Sequence, residues 1–86
     1  MENTHHQHLP PAFPLAMATE GESVRIVSLR QGRKIQEKLL SMGIKVNDKI
    51  EVIHRQGKGA ILIAKGSNRY AFGGGMALKI EVTREN

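Results

Sequence analysis

Along most of this chain apolar and polar residues alternate with the two-residue period of β-strands. The run Ser23 to Leu29 sets Val24 and Ile26 on one face and Val27 and Leu29 on the other, so either both faces are covered or a bulge switches them. Lys49 to Gln56 places Ile50, Val52 and His54 on one face and Glu51, Ile53 and Arg55 on the other. Ala60 to Lys65 returns after the glycine-rich turn Gln56-Gly57-Lys58-Gly59, which predicts an antiparallel hairpin. Gly66-Ser67 suits a two-residue type II′ turn into Asn68 to Phe72, since glycine meets the positive φ of its first central position. Gly73 to Gly75 break that strand, Met76-Ala77-Leu78 has room for a single helical turn, and Lys79 to Thr83 alternates again around Ile80 and Val82. About five short antiparallel strands with a thin aliphatic core most easily close into a small barrel, because closure removes exposed edges.

The period lengthens to that of a helix in one stretch. Between Gly32 and Met42, the apolar residues Ile35, Leu39 and Met42 fall at i, i+4 and i+7, while Arg33, Lys34, Glu37 and Lys38 lie off that stripe. Gly43 predicts the stop, because glycine accepts the left-handed conformation that follows a helix C-cap. Ile44 then lands where it can touch Leu39, as in a Schellman ending. Leu40 does not fit, since it projects about 100° away from Leu39 toward the charged side. A widened apolar face or a neighbouring loop would bury it; otherwise it is a surface for a partner.

Composition narrows the chemistry. The 86 residues bound one domain, and a 3% aromatic content leaves its core to Ile, Leu, Val, Met and Ala. The absence of cysteine removes disulfides, thiolate metal sites and thiol catalysis. The stretch Gly57-Lys58-Gly59-Ala60 lacks the spacing of a nucleotide-binding loop, and no acid–base constellation is visible, so neither an enzyme nor a cofactor is expected. No apolar run approaches the roughly 20 residues that cross a bilayer, and the start of the chain, with Glu2, histidines and prolines, does not resemble a secretory signal. The expectation is a cytoplasmic protein without membrane insertion. Residues 1–14 read as a mobile tail and residues 15–86 as the folded domain. His5, His6 and His8 in the tail lack the further ligands of a structural metal site, so no metal centre is expected there, and His54 reads as a surface or packing residue. The net charge of +5 is uneven: residues 1–22 hold three glutamates and no cation, leaving +8 on the rest, which suggests an acidic partner.

The segments "PLAMATEGESVRIVSL", "KLLSMGI" and "KIEVIHRQGKGAILIAKGSNRYAFGGGMALKIEV" together resemble the FeoA family, ferrous iron transport protein A, over about residues 14–83. The resemblance implies a small SH3-like antiparallel barrel with one short α-helix inserted after the first strand. It also implies a cytosolic, non-enzymatic accessory of ferrous iron uptake that binds FeoB, a membrane permease with a cytosolic GTP-binding domain. Where the family usually has Pro-Gly after the helix, this chain has Val46-Asn47-Asp48, so any positive φ must fall on Asn47 or Asp48. Two alternatives come from other classes: a nucleic-acid-binding small barrel, and the SH3-like domain of iron-dependent repressors. Against the first, Tyr70 and Phe72 share a strand face that can be core, and the cations are scattered. Against the second, no DNA-binding helix-turn-helix precedes the barrel. The candidate partner-binding residues are Lys38, Leu39, Leu40 and Met42 on the helix and Arg55, Lys58 and Arg69 on the strand surface. A homo-oligomer is compatible with the same sequence.

Overall fold

The computed structural model describes residues 11–29 and 33–85. Six strands form one antiparallel sheet: β1 (Phe13–Pro14), β2 (Ser23–Leu29), β3 (Lys49–Arg55), β4 (Ile61–Lys65), β5 (Asn68–Phe72) and β6 (Ile80–Arg84). Their order is β1-β6-β2-β3-β4-β5. Helix α1 (Arg33–Ser41) connects β2 to β3, α2 (Gly74–Lys79) connects β5 to β6, and 3-10 turns span Leu15–Met17 and Gly57–Gly59. The mainly β, SH3-like architecture expected from the sequence is the one observed, with two amendments.

The first is the extra strand. Phe13 and Pro14, placed in the tail by the sequence reading, pair with Val82 and Glu81 of β6, and the Arg84 guanidinium lies 4.7 Å over the Phe13 ring. Proline cannot donate to a ladder, which confines this two-residue strand to an edge. The remainder of the expected tail through residue 10, with His5, His6 and His8, lies outside the described residues, as does Gly32. The second amendment is that the hydrogen-bonded ladder does not close, because β1 and β5 are both edges. Helix α2 packs on the Leu15–Met17 turn, on β1 and on the Gly57–Gly59 turn, burying Ala77.

Two bulges decide which side chains face inward. In β2, Ile26 pairs with Val82 and Ser28 with Glu81, so Val27 is the extra residue and Leu29 returns to the core side opposite Ile80. In β3, Val52 pairs with Ile63 and His54 with Leu62, so Ile53 is the extra residue. His54, which strict alternation places with Ile50 and Val52, is thereby turned outward and exposed. The core is aliphatic, as composition requires: Leu15, Val24, Ile26, Leu39, Ile44, Ile50, Val52, Ile61, Ile63, Ile80 and Val82 are essentially inaccessible. Each such side chain contributes about 1.5 to 3 kcal/mol by leaving water, offset against ordering entropy.

The α2 helix is longer than the single turn read at Met76 to Leu78, because it begins at Gly74. A Cβ on Gly74 would lie 2.1 Å from the Lys58 carbonyl oxygen, so the helix start and the β3–β4 turn meet backbone to backbone. The β4–β5 turn has Gly66 at φ +60° with no positive φ at Ser67, as a type II′ turn requires.

Candidate partner-binding surface

The C-terminal end of α1 is tethered both by its own last turn and by the sheet. Ile44 N–H donates to Leu39 O at 2.8 Å and Gly43 N–H donates to Leu40 O at 2.9 Å, the paired bonds of a Schellman motif, with Gly43 at φ +79°. Leu39 and Ile44 are both fully buried, so the apolar clasp that closes this motif is part of the core. The carbonyls that a helix end leaves open are met from the sheet. Tyr70 of β5 donates its hydroxyl to Met42 O at 2.7 Å, and Lys65 of β4 donates Nζ to Gly43 O.

The loop that follows is organised by Asp48. Its Oδ2 accepts Lys45 N–H at 2.8 Å and Lys65 Nζ at 2.8 Å, with Lys45 Nζ 3.5 Å from Oδ1. Burial acts to raise the Asp48 pKa, but the Lys65 hydrogen bond, the Lys45 amide and both ammonium charges outweigh it and hold the carboxyl below its ordinary value. Asn47 takes the positive φ, +82°, that the absence of Pro-Gly demanded. Its N–H donates to Ile26 O at 2.7 Å, and its carbonyl accepts from Arg25 Nη1 at 2.7 Å.

On this fixed platform Leu40 is 51% exposed, Lys38 is exposed, and Val46 follows at the rim. Leu39 has no accessible surface, and Met42 is half-buried against the core together with Ile35. Of the four helix residues singled out from the sequence, Lys38 and Leu40 therefore face solvent and Leu39 is internal. The three strand-surface cations do not converge. Arg69 pairs with Ala64 beside Tyr70, toward the α1 tether. Arg55 pairs with Ile61 at the opposite end of β4, next to the β3–β4 turn that holds Lys58.

At that opposite end Glu20 Oε2 accepts Arg55 N–H at 2.8 Å and lies 2.8 Å from His54 Nδ1. The Arg55 amide first, and the His54 imidazole after it, hold the Glu20 carboxyl below its ordinary pKa. The carboxylate serves as the acceptor for β3 on the side where its pairing with β2 ends at Glu51 and the chain at Gly21 and Glu22 meets Val52. Among the described residues no three His, Asp or Glu side chains gather as a metal site, and no helix is long and apolar enough to cross a membrane. Phe72 is buried, and Tyr70 spends its hydroxyl on α1, so these two rings are committed to the fold.

The FeoA domain family model matches residues 13–84. This chain belongs to the FeoA family. It is 43% identical over 70 residues to the "Putative Fe(2+) transport protein A" of Methanocaldococcus jannaschii, a match covering 81% of this chain and 84% of that protein. Its fold is similar to the crystal structure of an iron uptake regulatory protein (FeoA), with a TM-score of 0.77, 29% identity, and 87% of this chain and 99% of the other covered. A manganese-dependent transcriptional repressor shares the fold at a TM-score of 0.79 and 23% identity; 90% of this chain aligns with 44% of the repressor.

In this FeoA domain the helix ending "LLSMGI" is the tethered platform, and "GGMALKIEV" is the α2–β6 unit whose first residue, Gly74, meets Lys58. Sequence reasoning missed the Asp48–Lys65 tether, the Glu20–His54 contact and the Gly74 approach. The three consecutive glycines were the available signal for the last. The other two join positions 17 and 34 residues apart by side chains that no periodicity marks.

Proposed function

We propose that this FeoA protein serves Fe(2+) transport as a cytoplasmic accessory without chemistry of its own, docking on a FeoB-type permease through the outer face of α1 around Lys38 and Leu40. Family membership supports the transport role. The observation that carries the docking surface is Leu40, a large apolar side chain left 51% exposed on a helix end whose position is fixed by Tyr70, Lys65 and the Leu39–Ile44 clasp. An exposed apolar side chain held on a fixed helix end loses little entropy on association.

The test uses membranes containing the permease, with the full-length chain as ligand. Leu40→Gln is expected to weaken binding by about tenfold or more while shifting folding stability by no more than about 0.5 kcal/mol, as for ordinary surface substitutions. Unchanged binding by a well-folded Leu40→Gln chain removes α1 as the contact.

A further inference from the structure

The two edges of the sheet are unlike. The β1 edge is two residues long and ends in Pro14, which blunts it against further pairing. The β5 edge is five residues long, carries no proline and keeps an unbroken register with β4. Across the two-residue Gly66-Ser67 turn, Lys65 and Asn68 form the first hydrogen-bonded pair, so the pairs alternate and Ile63–Tyr70 and Ile61–Phe72 are hydrogen-bonded too. It follows that the N–H and C=O of Arg69 and Ala71 point away from β4. Both residues are exposed, and no backbone or side-chain partner meets these groups among the described residues.

Two features beside this edge bear on what covers it. A cleft of about 250 Å³ opens along its C-terminal half, lined mainly by Ala60, Ile61, Leu62, Ala71 and Phe72, with room for an apolar side chain. From Gln56 to Ile80 the chain has no acidic residue and four cations. Of these, Lys65 is committed to Asp48, whereas Lys58 at the turn and Arg69 on the edge itself make no ion pair among the described residues.

We propose that the free edge of β5 binds an extended, acidic segment of a partner protein by adding it as a further strand, with one apolar side chain seated in the cleft beside Ala71. Donors and acceptors alternating at strand spacing match another peptide backbone; a nucleic acid supplies acceptors but no matching row of donors. A second copy of this chain brings the same acid-free stretch against itself, setting Arg69 and Lys58 near their own counterparts, so charge selects a different, acidic partner. This edge adjoins the C-terminal end of α1 through Tyr70 but uses the backbone of Arg69 and Ala71 instead of Leu40, so the inference stands whether or not the permease docks on Leu40.

The probe is the peptide acetyl-Gly-Asp-Thr-Val-Thr-Asp-Gly-amide, in which the valine and both aspartates share one strand face, so that a valine beside Ala71 brings an aspartate opposite Arg69; it is titrated into the full-length, isotope-labelled chain with amide exchange read by NMR. Expected are saturable binding and exchange at both Arg69 and Ala71 slowed by about tenfold or more. The version with lysine for each aspartate should bind at least about tenfold more weakly, and Arg69→Glu should reverse the preference between the two peptides. No saturable binding, equal binding of both peptides, or perturbation confined to α1 overturns the proposal. Slowed exchange at Arg69 and Ala71 that grows with protein concentration without peptide identifies a second copy as the occupant instead. Displacement of the peptide by an oligothymidylate identifies a nucleic acid.

Discussion

The two helices are both short and both depend on a glycine, yet the glycines answer to different physics. Gly43, after α1, stands at φ +79° with open space where a Cβ would go, so only its backbone conformation demands glycine. Gly74, at the start of α2, has no positive φ, but a Cβ there would run into the Lys58 carbonyl at 2.1 Å. The first requirement belongs to the local chain and the second to a contact between distant segments. A conformational demand leaves a pattern in neighbouring residues, here Leu39, Met42 and Ile44 around Gly43. A steric demand set by another loop leaves only the run Gly73-Gly74-Gly75, which does not say which of the three is pressed or by what.

Substitutions can test that distinction. The largest effect is expected from Leu39→Ala, which removes the stripe residue and the Schellman clasp at once and should cost about 2 to 5 kcal/mol in urea unfolding. Gly74→Ala follows, at about 1 to 3 kcal/mol, because the Lys58 turn must move as a backbone unit to admit the methyl group. Its control is Gly75→Ala in the same helix. With nothing within 4 Å of the added Cβ, Gly75→Ala should instead stabilise by about 0.5 to 1 kcal/mol. A destabilising Gly75→Ala, or a neutral Gly74→Ala, removes the steric account of α2. Gly43→Ala should cost about 1 kcal/mol through φ alone, without perturbing the amide resonances of the opposite end of the sheet.

A smaller effect is expected from acid. The folded Asp48 pKa is depressed, so its contribution is fully present above the ordinary aspartate pKa of about 4 and is lost as the pH falls through the folded value. Asp48→Asn should therefore lower stability by about 1 kcal/mol near pH 7, and the difference from wild type should shrink well below about pH 4. A difference that is the same at both pH values means that the tether to Lys65 and Lys45 acts through geometry and not through charge. Glu20, also depressed, titrates in the same direction but is far more exposed than Asp48, so Asp48→Asn is the cleaner probe.

Much of the fold was legible in the residues themselves. The α1 stripe, its stop at Gly43, the clasp to Ile44 and the type II′ turn at Gly66-Ser67 each rest on neighbours within about one helical turn or one hairpin, whereas the positive φ at Asn47 was expected from the family resemblance. The candidate site was legible in part. Leu40 stood out against the stripe, but its exposure depended on whether anything else packed over α1, and the scattered cations gave no hint that Arg69 and Arg55 flank opposite ends of β4 from its two neighbouring strands.

What the sequence determined by itself is five of the six strands, the α1 helix with its stop, and the aliphatic core, because periodicity and turn chemistry are short-range properties of the backbone; its motifs added the resemblance to the family. Tertiary structure alone decided the bulges at Val27 and Ile53, the short β1 pairing, the open β5 edge, the Gly74–Lys58 approach and the Asp48 and Glu20 contacts. Each of these depends on which distant strand a residue meets. An extra residue in one strand, or a carboxylate answering an amide 35 positions away, satisfies a hydrogen-bonding need that arises only once the sheet has curled around its core.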